Sequence, residues 1–590
     1  MDLLADILSV LGSQWSGILR LLAVFGLGAI LAFGLLRRSL DEHLDTTETF
    51  LFALTGWSIL WVICAFAAFF VNRLLAFGLG WAAFLAAIGG LLLIPGWKKM
   101  PAPFGRPSWT LLSLVVAFLL SLLARLAFLA DLIVPSYFDG ALHFNLVQHL
   151  LTTFGDWPWQ AASPPVVGYY HLGFHLLAAI SAFLTNTDST QTILVLGQLI
   201  LAIMPFPAFL IVRRETGSLP AAFFALILAG WGWDMPAHAL NWGKYPALAG
   251  LLALQFPLAL AYLATRPAFS RRNKTKLFVL FLLGGGVAGL LHTRALVVIA
   301  LVVAAYLAAW GWSKLPQKAK WGMLFLMLVG LGGLSLYLYS RDILKLVFDP
   351  YLLRSGLWIT LLVAALSLFA FRRYDRLAMT GLLTILFLLA CLLVTLPGES
   401  FQTLLDRPFV QMTLFLPLAL LGGLGVAGLR AESFKGWMTA LATVAVFSAV
   451  FIHLERDTSF SPSPCCILFK QDDAVAFEWM KEYLPSKAHV LIAGNTLNVF
   501  DIENPAGLRG SDGGIWITSL TGRKTSTWPF SADFGTQATF DNLCQMGVTH
   551  LYVGGTQERF DLAVLQSRSG WYAWQFSLPG AHLFKLTGCP

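Results

Sequence analysis

Charge is what this chain has least of: Asp, Glu, Lys and Arg make up 12% of its 590 residues, against roughly 25% in an average soluble domain. So few charges cannot cover a water-facing surface of this size, which excludes a soluble enzyme. Six cysteines are too sparse for a small disulfide scaffold. No fixed-period repeat or low-complexity linker appears, and Gly and Pro interrupt the apolar runs too often for a coiled coil. A phosphate-cradling loop is missing, because Gly284-Gly285-Gly286 lacks the Lys and Ser/Thr such loops need and reads as close helix packing. Zinc-type Cys/His spacing is missing too. What is present is apolar: 57% hydrophobic residues, 46 Phe and 21 Trp, with a mean hydropathy of +0.73. The chain reads as a polytopic membrane protein.

Windows of roughly 17–25 mostly apolar residues are long enough to cross a bilayer. They fall at 14–36, 49–71, 74–95, 109–130, 190–212, 219–233, 246–264, 277–294, 295–312, 321–339, 357–371, 377–396, 409–429 and 437–453, about fourteen in all. The run 277–312 fits either two short helices or one long tilted one. The flank before the first window holds two Asp and no Lys or Arg, so it reads as an uncleaved span rather than a signal peptide.

The positive-inside rule then sorts the loops. Arg37, Arg38, Lys98, Lys99, Arg106, Arg213, Arg214, Arg266, Lys314, Lys320, Arg372, Arg373 and Arg430 fall on one side, while the other holds scattered cations such as Lys244 and Arg407. The asymmetry requires that 166–184 is not a full span; with Tyr169, Tyr170, His171 and His175 along it, it suits a membrane-surface helix. The loop 131–186 and the C-terminal tail are then outside, in a multi-pass protein of the cell membrane. The formal net charge of +8 is a topology signal, with no nucleic acid implied.

After His453 the composition turns polar. Asp472 to Tyr483 has helical spacing and stops at Leu484-Pro485; His489 to Ile492 and Leu551 to Val553 read as buried strands, with a helix over 540–546 between them. The expected organisation is N-terminal transmembrane helices over 1–108, an all-α membrane module over 109–453 and an exported α/β domain over 454–590. Cys465, Cys466, Cys544 and Cys589 all fall in that last domain, where disulfides persist as readily as free thiols, and the spacing chooses no pairing.

The outer loops carry the chemistry. Pro135-Ser136-Tyr137-Phe138-Asp139-Gly140 is followed by His143 and His149, then Gly155-Asp156-Trp157, Pro164-Pro165 and Tyr169-Tyr170-His171. An acid just past an apolar helix puts a carboxylate at the membrane surface, where a general base meets a lipid-borne substrate. Asp139 and His143, four apart, share one helical face. The plainer alternative is that Asp139 caps a helix over 140–151.

These residues, from Tyr137 to Trp157 and on through the Pro-Pro and Tyr-rich stretch to Leu184, resemble the first long outer loop of GT-C-fold glycosyltransferases. That class includes protein O-mannosyltransferases and the aminoarabinose transferases that modify lipid A. The resemblance covers mainly Trp109 to about Val212. It implies a GT-C-like membrane module, Asp139 in the place of the catalytic acid, and a polyprenyl-phosphate-linked sugar donor serving a lipid, glycan or protein acceptor. Here Phe138 and Gly140 flank the acid instead of a second carboxylate, which leaves a divalent cation open, and three predicted spans precede the module.

Other outer groups would complete such a site. Arg294, in His292-Thr293-Arg294, sits at a depth where a cation costs about 2.5–3.5 kcal/mol unless paired or wetted. It suits the donor phosphate, or else a structural ion pair with an acid such as Asp234. Lys244 and Tyr245 follow Trp242, whose ring is either a sugar platform or an interfacial anchor; Arg407 lies in an outer polar cluster with Glu399, Gln402, Asp406 and Gln411. The substrate-binding set is therefore His143, Asp156, His171, Lys244, Tyr245, His292, Arg294 and Arg407, with no metal ligands assigned. The implied reaction is an inverting displacement in which Asp139 takes the acceptor proton and the cations offset charge on the departing phosphate. Two readings compete: a lipid or sugar transporter or flippase, which inverted repeats and mid-membrane charges would favour, and an envelope scaffold that binds glycan through Ser511-Asp512-Gly513-Gly514-Ile515-Trp516.

Overall fold

A computed structural model describes residues 3–40, 44–75, 78–80, 85, 108–156, 170–266, 271–396, 403–431, 460–497 and 507–589. Among these, 11 helices are long and apolar enough to cross a membrane, and a mixed α/β sheet domain follows them. The chain is an integral membrane protein. Of the fourteen expected spans, 437–453 lies outside the described residues and 74–95 largely does. The window 219–233 folds as a helix of only 13 residues, Leu219–Trp231. The ambiguous run 277–312 is two helices, Arg271–Leu291 and Arg294–Ser313, broken at His292 and Thr293. Helix entries are capped where the sequence offers a short polar residue: Ser108 accepts from the Leu111 N–H, Asp188 from Thr190 and Gln191, and Asp406 from Phe409.

The expected membrane-surface helix is not at a surface. It forms as Gly173–Thr185 and is buried along most of its length inside the bundle. Apart from His175, Ser181 and Thr185, each of which is hydrogen-bonded, its residues are apolar, and such a helix gains most by burying every face. A Cβ at Gly173 would come within 2.7 Å of the Leu290 backbone, so glycine permits this close crossing. By contrast, only 11% of the apolar window of Gln317–Tyr339 is covered by protein, which leaves the rest for lipid.

Loops grouped by the cation count meet one another at each end of the bundle. At one end Arg213 pairs with Asp45 at 3.1 Å, Arg214 with Glu48 at 2.7 Å and Lys320 with Asp375 at 2.7 Å. Arg266 pairs there with Glu215. At the other end lie the pairs of the candidate site.

In the C-terminal domain β1 (His489–Thr496) is central. It pairs parallel with β3 (Lys524–Pro529) and β4 (His550–Val553), and antiparallel with β2 (Leu508–Gly510); β6 (Ala581–Leu586) joins β4 to β5 (Tyr572–Leu578). Alternate residues feed two cores. Leu491, Ala493, Leu551, Val553 and Phe584 pack with Phe534 and Phe540 on one face, while Val490, Ile492, Tyr552 and Leu583 join Phe477, Met480 and Trp516 in a core continuous with the helical bundle. The predicted helix is Gln471–Tyr483, and that of 540–546 begins earlier, at Gln537. Cys544 is bonded to Cys589, whereas Cys465 and Cys466 are free.

The segment that carried the glycan-scaffold reading is turned inward. Asp512 and Trp516 are 0% exposed, and Trp516 meets Phe144 of the bundle at 5.6 Å between ring centroids. An indole buried on both faces offers no platform to a sugar.

Asp512 accepts from the N–H groups of Gly514 and Gly554, yet burial outweighs them and pushes its carboxyl up to about 7. Burial likewise raises Asp473 to about 6. An acid raised in the folded state lends stability that is full below its ordinary pKa and is lost as pH rises through the folded one. At about 1.4 kcal/mol per unit the loss is on the order of a few kcal/mol. Thermal unfolding in detergent is expected to shift to lower temperature from pH 5 to pH 8, about that range, and Asp512→Asn should flatten the slope.

Candidate active site at the head of the acid helix

The sequence around Asp139 forms the helix Tyr137–Thr152. Ser136, extended at φ −63° and ψ 154°, is its N-cap, so Asp139 is not the cap but sits in the first turn. Its carboxylate is free to reach elsewhere, and it accepts from Lys244 Nζ at 2.6 Å. Tyr137 adopts φ 62°, a left-handed conformation that costs a β-carbon residue about 1–3 kcal/mol. A hydrogen bond from its N–H to the Cys466 carbonyl at 3.0 Å holds it there. The C-terminal domain thus positions the start of the acid helix.

Lys244 reaches Asp139 because Gly243 precedes it with φ 65°. A Cβ there would lie 2.9 Å from the Ser136 carbonyl oxygen, 3.0 Å from the Gly140 nitrogen and 3.1 Å from Asp139 Cβ. Gly243→Ala is expected to part the two loops and cost about 1–3 kcal/mol of stability, read as a lower unfolding temperature.

Behind the ion pair runs a chain of rings. His143 Nδ1 lies 3.0 Å from His175 Nε2, and His175 Nδ1 lies 3.2 Å from the His171 carbonyl oxygen. His171 meets Tyr170 at 4.2 Å and His292 at 4.3 Å, and His292 stacks on Phe409 at 4.8 Å. Burial, and then the Lys244 ammonium, push His143 down to about 3. Burial and the neighbouring imidazoles hold His171 well below its ordinary value. Both are neutral at pH 7. Buried atoms without a hydrogen-bond partner gather here: Ser136 Oγ, His171 Nε2, Tyr245 OH and Arg407 Nε. Unpaired buried polar atoms are costly, and a bound ligand is one way to satisfy them.

Arg294 pairs with Asp406 at 2.8 Å rather than with Asp234, and its N–H donates to His292 Nδ1. Burial chiefly opposes ionisation of Tyr170; Asp139 adds to that and Arg294 counters it, which places the phenol between the two centres. Arg407 lies within electrostatic reach of Asp406, Asp349 and Tyr137. The structure therefore links Asp139, His143, His171, Lys244, Tyr245, His292, Arg294 and Arg407. It does not bring Asp156 to them: that side chain is exposed beyond the far end of the helix, whose Thr152 end is already about 20 Å from Asp139 along the axis at 1.5 Å per residue. Tyr170, His175 and Asp406 were not singled out for the site; the His171/His175 spacing of one helical turn was the available signal for His175.

A cavity of 730 Å³ opens between the acid helix and the C-terminal domain. Tyr137, Phe138 and Trp242 line one wall; Lys470, Arg509 and Glu558 lie on the other. Among the described residues no three His, Cys, Asp or Glu side chains converge to hold a metal ion, and the place beside Asp139 is filled by the Lys244 ammonium.

A helical bundle with an α/β domain seated on the end that carries the acid is a GT-C-like fold. It is similar over 81% of this chain to the arabinofuranosyltransferase AftD from Mycobacteria, at 13% identity and a TM-score of 0.50, a likeness of fold. This chain spans only 40% of that protein's length. Weaker likenesses are to ArnT from Cupriavidus metallidurans (12% identity, TM-score 0.46, 81% of this chain and 97% of that one) and an Archaeoglobus fulgidus oligosaccharyltransferase (13%, 0.39, 80% and 72%). No curated protein matches the sequence. Residues 3–350 match the model of DUF6541, a family of unknown function, and the chain belongs to that family.

Proposed function

We propose that the protein is a membrane glycosyltransferase that moves a sugar from a polyprenyl-phosphate donor to a hydroxyl-bearing acceptor on the outer face of the cell membrane. The observation that carries this reading is Asp139, a carboxylate held by Lys244 at 2.6 Å next in sequence to Phe138, which with Tyr137 and Trp242 forms the aromatic wall of a 730 Å³ cavity. Asp139 accepts the acceptor proton as the oxygen attacks the anomeric carbon. Lys244, Arg294 and Arg407 offset the charge growing on the departing phosphate. The neutral imidazoles of His143 and His171 add no competing positive charge. The acceptor enters through the cavity, and Trp242 and Phe138 offer ring faces to its sugars. The cation-rich end of the bundle faces the cytoplasm, and the Cys544–Cys589 bond fits an oxidising compartment for the C-terminal domain.

The test is the full chain in nanodiscs with a panel of polyprenyl-phosphate sugars, with and without chelator. Acceptor-dependent release of polyprenyl phosphate supports the reading. Gradient-driven accumulation of lipid or sugar in sealed vesicles, without such release, replaces it with a transporter.

A further inference from the structure

Cys465 and Cys466 occupy a turn on the rim of the cavity, Cys465 exposed and Cys466 buried. Neither has another cysteine to pair with: Cys544 and Cys589 are bonded to each other, and Cys64 and Cys391 are buried in the helical bundle. Cys465 Sγ lies 3.2 Å from Ser463 Oγ. This turn is tied to the candidate site at two points. The Ser463 N–H donates to Asn241 Oδ1 at 2.6 Å, and the Cys466 carbonyl accepts from the Tyr137 N–H at 3.0 Å, two residues before Asp139.

We propose that Cys465 and Cys466 form a reversible vicinal disulfide, a redox-modification site whose closure loosens the start of the acid helix. The co-reactant is a low-molecular-weight disulfide, R–S–S–R. The Cys465 thiolate attacks one of its sulfurs, the S–S bond breaks, and RS⁻ leaves and takes up a proton. Cys466 then gives up its proton and attacks Cys465 Sγ, which expels the second RS⁻. Two protein thiols lose two electrons and two protons, and R–S–S–R becomes two R–SH. The hydrogen bonds from Cys466 and Ser463 bring the Cys465 thiol down to about 6, so the attacking thiolate is present at neutral pH. Hydrogen bonding to Cys465, and then burial, raise Cys466, which makes ring closure the slower step.

Adjacent Cα atoms are about 3.8 Å apart across a trans peptide, short of the roughly 4.4–6.8 Å that a relaxed disulfide spans. The ring is therefore strained and easily reduced, as a switch requires. Cys544–Cys589, at 5.4 Å between Cα atoms, lies within the relaxed range. Closing the ring reorients the peptide groups of the turn, and the Cys466 carbonyl is the group that holds Tyr137 at φ 62°. Released from that bond, Tyr137 has little reason to stay in a left-handed conformation.

The full chain in nanodiscs, equilibrated across ratios of reduced to oxidised glutathione, is quenched in acid and mapped by mass spectrometry without reduction. The expected product is a peptide holding both cysteines that is lighter by two hydrogens. It should reappear reduced at ratios where Cys544–Cys589 stays oxidised. The Tyr137 amide should exchange with deuterium at least about tenfold faster in the oxidised form, and Cys466→Ser should trap one glutathione on Cys465 instead of the ring. Two alkylatable thiols at every ratio, or a stable glutathione adduct on wild-type Cys465, would overturn the site. A closed ring with unchanged Tyr137 exchange would overturn the switch. None of these readouts depends on sugar transfer.

Discussion

Asp139→Asn is expected to lower the turnover of the proposed transfer by about 10²–10⁴-fold, the usual worth of a positioned general base. The amide keeps the shape of the carboxylate but cannot take the acceptor's proton, and it leaves Lys244 at most a neutral carbonyl oxygen in place of the charged one that now binds it at 2.6 Å. The loss should fall on kcat, because Asp139 acts on the attacking hydroxyl while the donor phosphate is held by Lys244, Arg294 and Arg407. A kcat within about threefold of wild type would remove Asp139 from the chemistry. Asp139→Glu restores a base that still reaches Lys244 but is displaced by one methylene, so partial activity is expected between the two.

The second large effect is expected at Trp516, which touches no reacting atom. Its ring is fully buried, 5.6 Å from Phe144 on the acid helix and 6.4 Å from Phe469 in the C-terminal domain. Truncating a buried Trp to Ala costs about 3–5 kcal/mol in lost transfer energy and cavity. Because this residue joins the two parts, the loss should appear as undocking. Limited proteolysis of Trp516→Ala should release the C-terminal domain from a bundle that remains folded, and transfer should fall with it, since Tyr137 depends on Cys466 of that domain. Trp516→Phe should retain most of both. Unchanged protease resistance would show that the hydrogen bonds at Tyr137 and Ser463 suffice to hold the domain.

Much of this architecture was legible in the sequence because the bilayer imposes a simple rule: a span is long and apolar, and loop cations mark a side. The pairing of Arg213 with Asp45 and of Lys320 with Asp375 follows that division. The helix Gly173–Thr185 escaped the rule, since hydropathy does not distinguish burial in protein from burial near lipid, and its polar neighbours Tyr170 and His171 turn inward to other rings. Within the candidate site, spacing alone allowed Asp139 to be the cap, whereas the helix starts three residues earlier, at the Ser136 cap. Partners distant in sequence were not legible. Lys244 is 105 residues from Asp139, and nothing in either segment selects the other until Gly243 permits the approach. The same holds for Arg294 and Asp406, where a nearer acid, Asp234, was the natural guess. Cys465 and Cys466 were visible as a pair, but their hold on Tyr137 appears only in three dimensions.

The central claim is that the end of the bundle bearing Asp139 binds a lipid-linked phosphate for transfer of its sugar. The most direct measurement is a cryo-EM structure of the full chain in nanodiscs with polyprenyl phosphate. The account predicts phosphate density among Lys244, Arg294 and Arg407, with Asp139 facing the emptied sugar position. Phosphate bound at the opposite end, among Arg213, Arg266 and Lys320, would contradict it.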